Sequence, residues 1–229
     1  MPATTLLRVR AARAWHLLTA LVAVTALTLQ LVLVIQGGRV LDETADPPSL
    51  ILRLLRFLSY FTIQSNILVL ITTAVLGWDP WRRGGVFQVL RTAATTGIIV
   101  TALVHWFLLR PQLELHGADQ VADRLLHVAV PILAVVGWLV FGPRPAMTWA
   151  TSLWASAGAV VWLVETLLLA AATGWYPYSF LDHREHGWDH VVGVSTGVLV
   201  LWFALLAGQH AYDRWARPAP RAEAAVTGS

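Results

Sequence analysis

The sequence predicts an all-α polytopic membrane protein: a bundle of six transmembrane helices with both termini cytoplasmic. Three observations predict it. Of 229 residues, 57% are hydrophobic and only 13% charged, about half the charge that soluble domains carry, and the mean hydropathy is +0.63. Six runs are long and apolar enough to cross a hydrocarbon core of roughly 30 Å, which takes about 20 residues of helix. The arginines also sort unevenly between the two sides of those runs. Arg8, Arg10, Arg13, Arg82, Arg83, Arg91, Arg144, Arg214, Arg217 and Arg221 share the N-terminal side, and outnumber Arg39, Arg53, Arg56, Arg110, Arg124 and Arg184 on the other. Basic residues concentrate on the cytoplasmic side.

The first run, Ala14–Ile35, lacks the short apolar stretch and small-residue cleavage site of a signal peptide and reads as a retained span. The others are Phe57–Leu76, Thr92–Leu109, Leu125–Phe141, Trp149–Ala172 and Val191–Ala207. Small residues in them (Thr92 to Gly97, Ser152, Ser156, Gly158) let helices approach closely where lipid offers no hydrophobic drive between them. Residues 1–13 form an N-terminal tail, 14–210 the membrane domain and 211–229 a C-terminal tail. Met1–Arg8 and Arg217–Ser229 are rich in Pro, Ala, Thr and Arg and are expected to be disordered.

Composition also excludes chemistry. With no cysteine, the chain cannot form disulfides, thiolate zinc sites, iron–sulfur clusters or a cysteine nucleophile. All 16 basic residues are arginine, so lysine Schiff bases are excluded too. A pI near 9.9 raises nucleic acid as a partner, but an arginine excess on the cytoplasmic side accounts for it. Membrane lipids are the expected partners and the plasma membrane the expected location. No nucleic acid, obligate protein partner or cofactor is indicated.

Polar side chains inside a membrane are costly and mark function by default, and here they gather at one leaflet. The outer end of the second span reads Ser59-Tyr-Phe-Thr62-Ile-Gln64-Ser65-Asn66, with Ser59, Thr62, Ser65 and Asn66 at the three- and four-residue steps of one helical face. The third span carries Gly97, Thr101 and His105 at four-residue steps, and the fourth opens with Asp123 one turn before His127. At 1.5 Å per residue, Thr62, His105 and His127 fall within roughly 10 Å of the outer boundary. The inner half offers little comparable. For Thr62, Ser65 and Asn66 the competing reading is interhelical hydrogen bonding. For His105 and His127 it is a structural imidazole at the interface. Asp123 either orients His127 through Nδ1–H, as the third member of a nucleophile–base–orienter set does, or is solvated. Glu165, midway along the fifth span, is read as protonated or paired with His105 or a threonine. Trp175, Tyr176 and Tyr178 fit an interfacial aromatic belt as well as a pocket rim. The stretch Asp182 to His190 holds three histidines beside its acids, but it matches no metal-ligand signature and Gly187 interrupts its helix, so a solvated loop is expected.

Taken together, the six spans, Tyr60-Phe-Thr62-Ile-Gln-Ser-Asn66, Leu126-His127 followed by Pro131, and Trp175-Tyr-Pro-Tyr178-Ser-Phe-Leu-Asp182 resemble the androgen-induced-gene family of membrane proteins and its bacterial branch. The resemblance runs from the second span to the sixth. It implies a six-span hydrolase of fatty-acid esters of hydroxy fatty acids, with an intramembrane threonine nucleophile carried over onto Thr62 and its histidine partner onto His127. A lipid ester is then the expected substrate. Asn66, Gln64 or Ser65 would face the developing oxyanion, with His105 as an alternate base. Two other functions compete. One is a metal-dependent membrane hydrolase using His105, His127 and the histidines near 183–190. The other is a non-enzymatic small transporter, lipid-binding or scaffold protein whose outer polar pocket holds a ligand, with the mid-span carboxyl of Glu165 in its support.

Overall fold

The computed structural model describes residues 3–37, 48–142 and 147–216, and every regular element in them is helical. In chain order these are α1 (Ala3–Ile35), α2 (Leu50–Ser59), α3 (Phe61–Trp78), α4 (Gly85–Val104), α5 (Gly117–Arg124), α6 (Val130–Phe141), α7 (Trp149–Thr173) and α8 (His183–Trp215). Five-residue π turns, His105–Leu109 and Leu125–Ala129, continue α4 and join α5 to α6. Counting those joins, six helices are long and apolar enough to cross a membrane: Thr5–Ile35, Phe61–Trp78, Gly85–Gln112, Gly117–Phe141, Trp149–Thr173 and His183–Trp215. By length and composition these helices suit a multi-pass membrane protein.

Most helices outrun their apolar runs where polar sequence still favours helix, while the second starts late, at Phe61. The first begins at Ala3, within the stretch expected to be disordered, and the last extends to Trp215, across a kink at Gly187 (φ 78°, ψ 161°). The segment from His183 to His190 is thus a broken helical turn rather than a loop. Arg39, Asp42, Glu43, Asp46, Arg144, Arg217 and Arg221 lie outside the described residues.

α1, α3 and α4 form the centre, with α6 and α7 packed around them and α8 against α4. At their heart Ala23, Ala26, Ile63, Val69, Ala94, Ile98 and Val130 are almost fully buried. The small residues allow close helix approach. Gly137 of α6 shows why: a Cβ there would stand 3.1 Å from the Trp15 ring.

The second predicted span is divided. Tyr60 is extended (φ −70°, ψ 127°), so α2 ends at Ser59 and α3 starts afresh at Phe61. Neither proline nor glycine forces the break; aromatic packing holds it, with the Tyr60 ring edge-on to Trp175 at 5.8 Å and to Tyr178 at 5.6 Å. The short α2 is tied back by Arg53, whose guanidinium donates to the Val34 carbonyl at 2.7 Å and the Ile35 carbonyl at 3.3 Å. These carbonyls stand at the open end of α1, where Val34 also accepts from the Gly37 N–H at 3.2 Å. The break also frees the Ser59 carbonyl, which accepts from Trp162 Nε1 at 2.8 Å. Two consequences position the site: the first N–H groups of α3 are exposed to the bundle interior, and the segment 174–182 folds over them.

Candidate functional site

Both site histidines sit in π turns, and each π turn ends one residue short of a proline. Pro111 follows His105–Leu109 and Pro131 follows Leu125–Ala129. A proline ring clashes with the carbonyl four residues back and supplies no N–H to it. The ladder therefore widens, with Arg110 N–H bonding the His105 carbonyl and Val130 N–H the Leu125 carbonyl, five residues away. The inserted residue re-aims the neighbouring side chains, a use of π turns common at functional sites.

The result is a connected set. His127 Nε2 lies 3.3 Å from Thr62 Oγ1. On the other side of the ring, Nδ1 lies 3.0 Å from Asp123 Oδ1 and 3.1 Å from the Asp123 backbone carbonyl. Both partners of Nδ1 are acceptors, so Nδ1 carries the ring proton and Nε2 presents a lone pair to the threonine hydroxyl. The His105 ring stacks on His127 at 3.7 Å, with an 11° angle between planes. Its Nε2 stands 3.3 Å from the same Asp123 Oδ1, but out of line for a hydrogen bond, and neither ring nitrogen has a hydrogen-bond partner.

Tyr178 closes the set from above. Its hydroxyl accepts from the Thr62 backbone N–H at 3.3 Å and lies 3.4 Å from Thr62 Oγ1. Thr62 occupies the first turn of α3, where backbone N–H groups have no helical partner and carry partial positive charge. Burial pushes the Tyr178 phenol above its ordinary value, so the hydroxyl keeps its proton and is free to donate. These groups line a small half-open cleft of about 70 Å³. Ile63, Leu109, Leu113, Leu115 and Leu126 make most of its apolar wall, and Gln30, Tyr60 and Asp119 complete its polar rim.

The structure brings Thr62, Asp123, His127, His105 and Tyr178 together, and sends the other sequence candidates elsewhere. Asn66 donates through Nδ2 to the carbonyls of Thr62 (2.8 Å) and Leu126 (3.3 Å), pinning α3 to the second π turn. Ser65 donates to the Thr62 carbonyl at 3.1 Å and pairs with Thr101 at 2.8 Å. Gln64 turns back to the Leu58 carbonyl at 3.1 Å. None of the three aims a donor at the Thr62 hydroxyl. Trp175 packs on Tyr60 and under the Arg56 guanidinium. Tyr176 pairs with His183 at 3.1 Å, and Asp182 caps α8 at Arg184 N–H and binds the Arg184 side chain at 2.6 Å. That guanidinium holds the Asp182 carboxyl below the usual aspartate range.

Glu165 does not reach His105. It is exposed on the outer side of α7, because Trp162 and Thr166 take the inward positions and successive helix residues differ by about 100°. The half of the bundle expected to hold little polar chemistry is in fact laced with it. Gln209 donates to Thr96 Oγ1 at 2.7 Å, Ser152 pairs with His210 at 2.8 Å, and Asp213 accepts from Met147 N–H at 3.1 Å.

Sequence reasoning missed Gln30 as a cleft residue, although a lone glutamine in an apolar span is itself a signal. It also missed the N-terminus of α3, because nothing at Ser59-Tyr60 marks a helix start. The chain matches no protein-family model, no curated protein and no solved structure.

Proposed function

We propose that this chain is a plasma-membrane lipid-ester hydrolase of the androgen-induced-gene type, from its bacterial branch, with Thr62 as nucleophile and His127 as base. The observation that carries the reading is the continuous series from Asp123 Oδ1 through His127 to Thr62 Oγ1, at 3.0 Å and 3.3 Å, opening on an apolar-walled cleft. A threonine hydroxyl is a weak nucleophile until a neighbouring base takes its proton, and that base in turn needs an orienting acceptor. All three are present in order.

The chemistry follows from the geometry. An ester carbonyl seated over Thr62 is attacked by Oγ1 as His127 Nε2 accepts the hydroxyl proton. The imidazolium so formed is stabilised by Asp123 through Nδ1–H. Charge develops on the former carbonyl oxygen beside the Tyr178 hydroxyl, which acts as its donor, and near the positive end of α3, whose partial charge favours it. His127 then gives its proton to the departing alkoxide as the carbon–oxygen bond breaks, leaving an acyl-threonine. Water entering through the cleft mouth is deprotonated by His127 and attacks the acyl carbon, releasing a carboxylic acid and restoring Thr62. The leucine-lined wall suits an alkyl chain. With both termini cytoplasmic, the cleft lies at the outer leaflet, where a lipid ester and water both have access.

The reading is tested by labelling the detergent-solubilised protein with a serine- and threonine-directed fluorophosphonate. Wild type is expected to label at Thr62, and Thr62→Ala and His127→Ala to lose labelling while keeping helical circular dichroism. Equal labelling of wild type and Thr62→Ala overturns the assignment. The transporter reading loses the support of Glu165, which does not line the cleft.

A further inference from the structure

Two features of the cleft go unused by ester hydrolysis. His105 is only 2% exposed and both its ring nitrogens lack hydrogen-bond partners, a costly state for a buried imidazole. Its Nε2 is nevertheless delivered to within 3.3 Å of Asp123 Oδ1, the oxygen that His127 Nδ1 reaches at 3.0 Å. We propose that His105, Asp123 and His127 bind a single divalent cation of the zinc class, and that its binding switches off the Thr62–His127 pair. The switch rests on the hydrolytic reading above; the cation site does not.

The donor set and its spacing suit such an ion, and the two stacked rings must tilt apart to point both lone pairs at it. Ligands about 2.0–2.2 Å from a tetrahedral zinc stand roughly 3.3–3.6 Å from one another. Two of the ligand–ligand edges here are 3.0 Å and 3.3 Å, and all three donor atoms lie within 4.8 Å of one another. Among the described residues this is the one His/Asp/Glu group with such spacing. The histidines of the 183–190 turn, which sequence alone offered as ligands, are not part of it. Two imidazoles with one carboxylate favour zinc over calcium or magnesium, which prefer all-oxygen shells. Three protein ligands leave one position for water, and all three residues border the cleft. The ion would also satisfy the otherwise unpartnered Nε2 of His105.

The switch follows from counting protons on one ring. A neutral imidazole has one N–H. Without metal it sits on Nδ1, between the two Asp123 oxygens, and Nε2 is the base for Thr62. A cation on Nδ1 needs the lone pair there, so the proton moves to Nε2. Protonated Nε2 can donate to Thr62 Oγ1 but cannot accept its proton. Metal ligation and activation of the threonine are therefore alternative states of His127.

The test uses the full-length protein in detergent, stripped with a chelator and titrated with zinc chloride by calorimetry. Binding of cobalt(II), followed by its visible absorption, reports the ligand type. One equivalent is expected to bind in wild type and in Thr62→Ala, whose affinity needs no catalysis. Affinity is expected to fall at least about tenfold in His105→Ala and, as a shape-preserving second variant, in Asp123→Asn, but not in His186→Ala. Zinc is expected to suppress fluorophosphonate labelling of the wild type, and chelator to restore it. No binding up to submillimolar zinc overturns the site, as does binding abolished by His186→Ala and unaffected by His105→Ala. Labelling that rises with zinc overturns the switch and favours a metal-dependent hydrolase. A wild type that binds zinc as described but never labels fails the hydrolytic reading and the switch with it, and leaves the cation site standing.

Discussion

Where α7 begins and α8 finishes, His210 pairs its Nε2 with Ser152 Oγ at 2.8 Å and stacks on Trp149 at 4.7 Å. Where α3 begins, His127 pairs its Nε2 with Thr62 Oγ1 at 3.3 Å and stacks on His105 at 3.7 Å. The two regions look alike as hydroxyl–imidazole pairs between helices, and they differ in what surrounds the pair. His127 has a carboxylate on Nδ1, a tyrosine hydroxyl above its threonine and a cleft in front of it. His210 has no place in that cleft; the bonds around it join α7 to α8 and α4 to α8. A buried polar pair is therefore no evidence of chemistry by itself. What distinguishes the first pair is room for a reacting group in front of the hydroxyl, in a cleft that reaches back to the carboxylate behind the imidazole.

Exchanging each histidine for alanine should break the likeness most sharply. His127→Ala is expected to lower ester hydrolysis by about 10³-fold or more, since it removes the base and leaves Thr62 protonated. His210→Ala is expected to leave hydrolysis within about twofold. Its effect should instead be a loss of about 1–3 kcal/mol in thermal stability in detergent, because Ser152 loses its partner and Trp149 its stacking face. A collapse of activity in His210→Ala with the fold intact would erase the distinction. Asp123→Asn tests the acceptor behind the ring. Asparagine can present N–H to Nδ1 and so favour the wrong tautomer, and hydrolysis is expected to fall about 10²–10⁴-fold with little change in KM.

Tyr178→Phe probes the room in front of the hydroxyl. If the phenol donates to the developing oxyanion, kcat should fall about 10²-fold while Thr62 still labels slowly. The packing of ring 178 on Phe180, 5.3 Å away and parallel within 7°, survives the substitution, so unfolding is not expected to intervene. A kcat unchanged by Tyr178→Phe would leave the end of α3 as the sole stabiliser of charge.

How much of this was legible in the sequence depended on the physics behind each feature. Six apolar helices were legible because spanning a bilayer imposes a run length that no soluble helix needs. The pairing of Asp123 with His127 was legible as an i, i+4 step on one helix face. Their convergence with Thr62 was legible only as a shared depth, since sequence carries no azimuth between helices. The break at Tyr60 was hidden because ring packing from residues 175 and 178 makes it, not a local breaker. Glu165 misled for the opposite reason. A mid-span carboxyl predicts an inward side chain, but Trp162 and Thr166 had already claimed that side of α7. The π turns lay between these cases: Pro111 and Pro131 were visible, and their effect on the carbonyls four residues back could have flagged both histidine segments.

The smallest expected effect concerns the segment that lays Tyr178 over Thr62. Asp182 caps α8 and holds Arg184, which in turn donates to the Gly174 carbonyl at the end of α7. This clamp joins the two ends of residues 174–182. Because Arg184 lowers the Asp182 pKa in the fold, the native state binds fewer protons than the unfolded chain near the carboxylate range, and stability rises with pH there. The contribution is complete above the ordinary aspartate value near 3.9 and is lost as pH falls through the depressed native one. Wild type is therefore expected to lose melting temperature on acidification below about pH 4 more steeply than Asp182→Asn, which keeps an oxygen for the cap but has no charge to lose. Parallel melting curves for the two proteins across that range would show that the clamp contributes nothing through its charge. Tyr178 would then owe its position to ring packing alone.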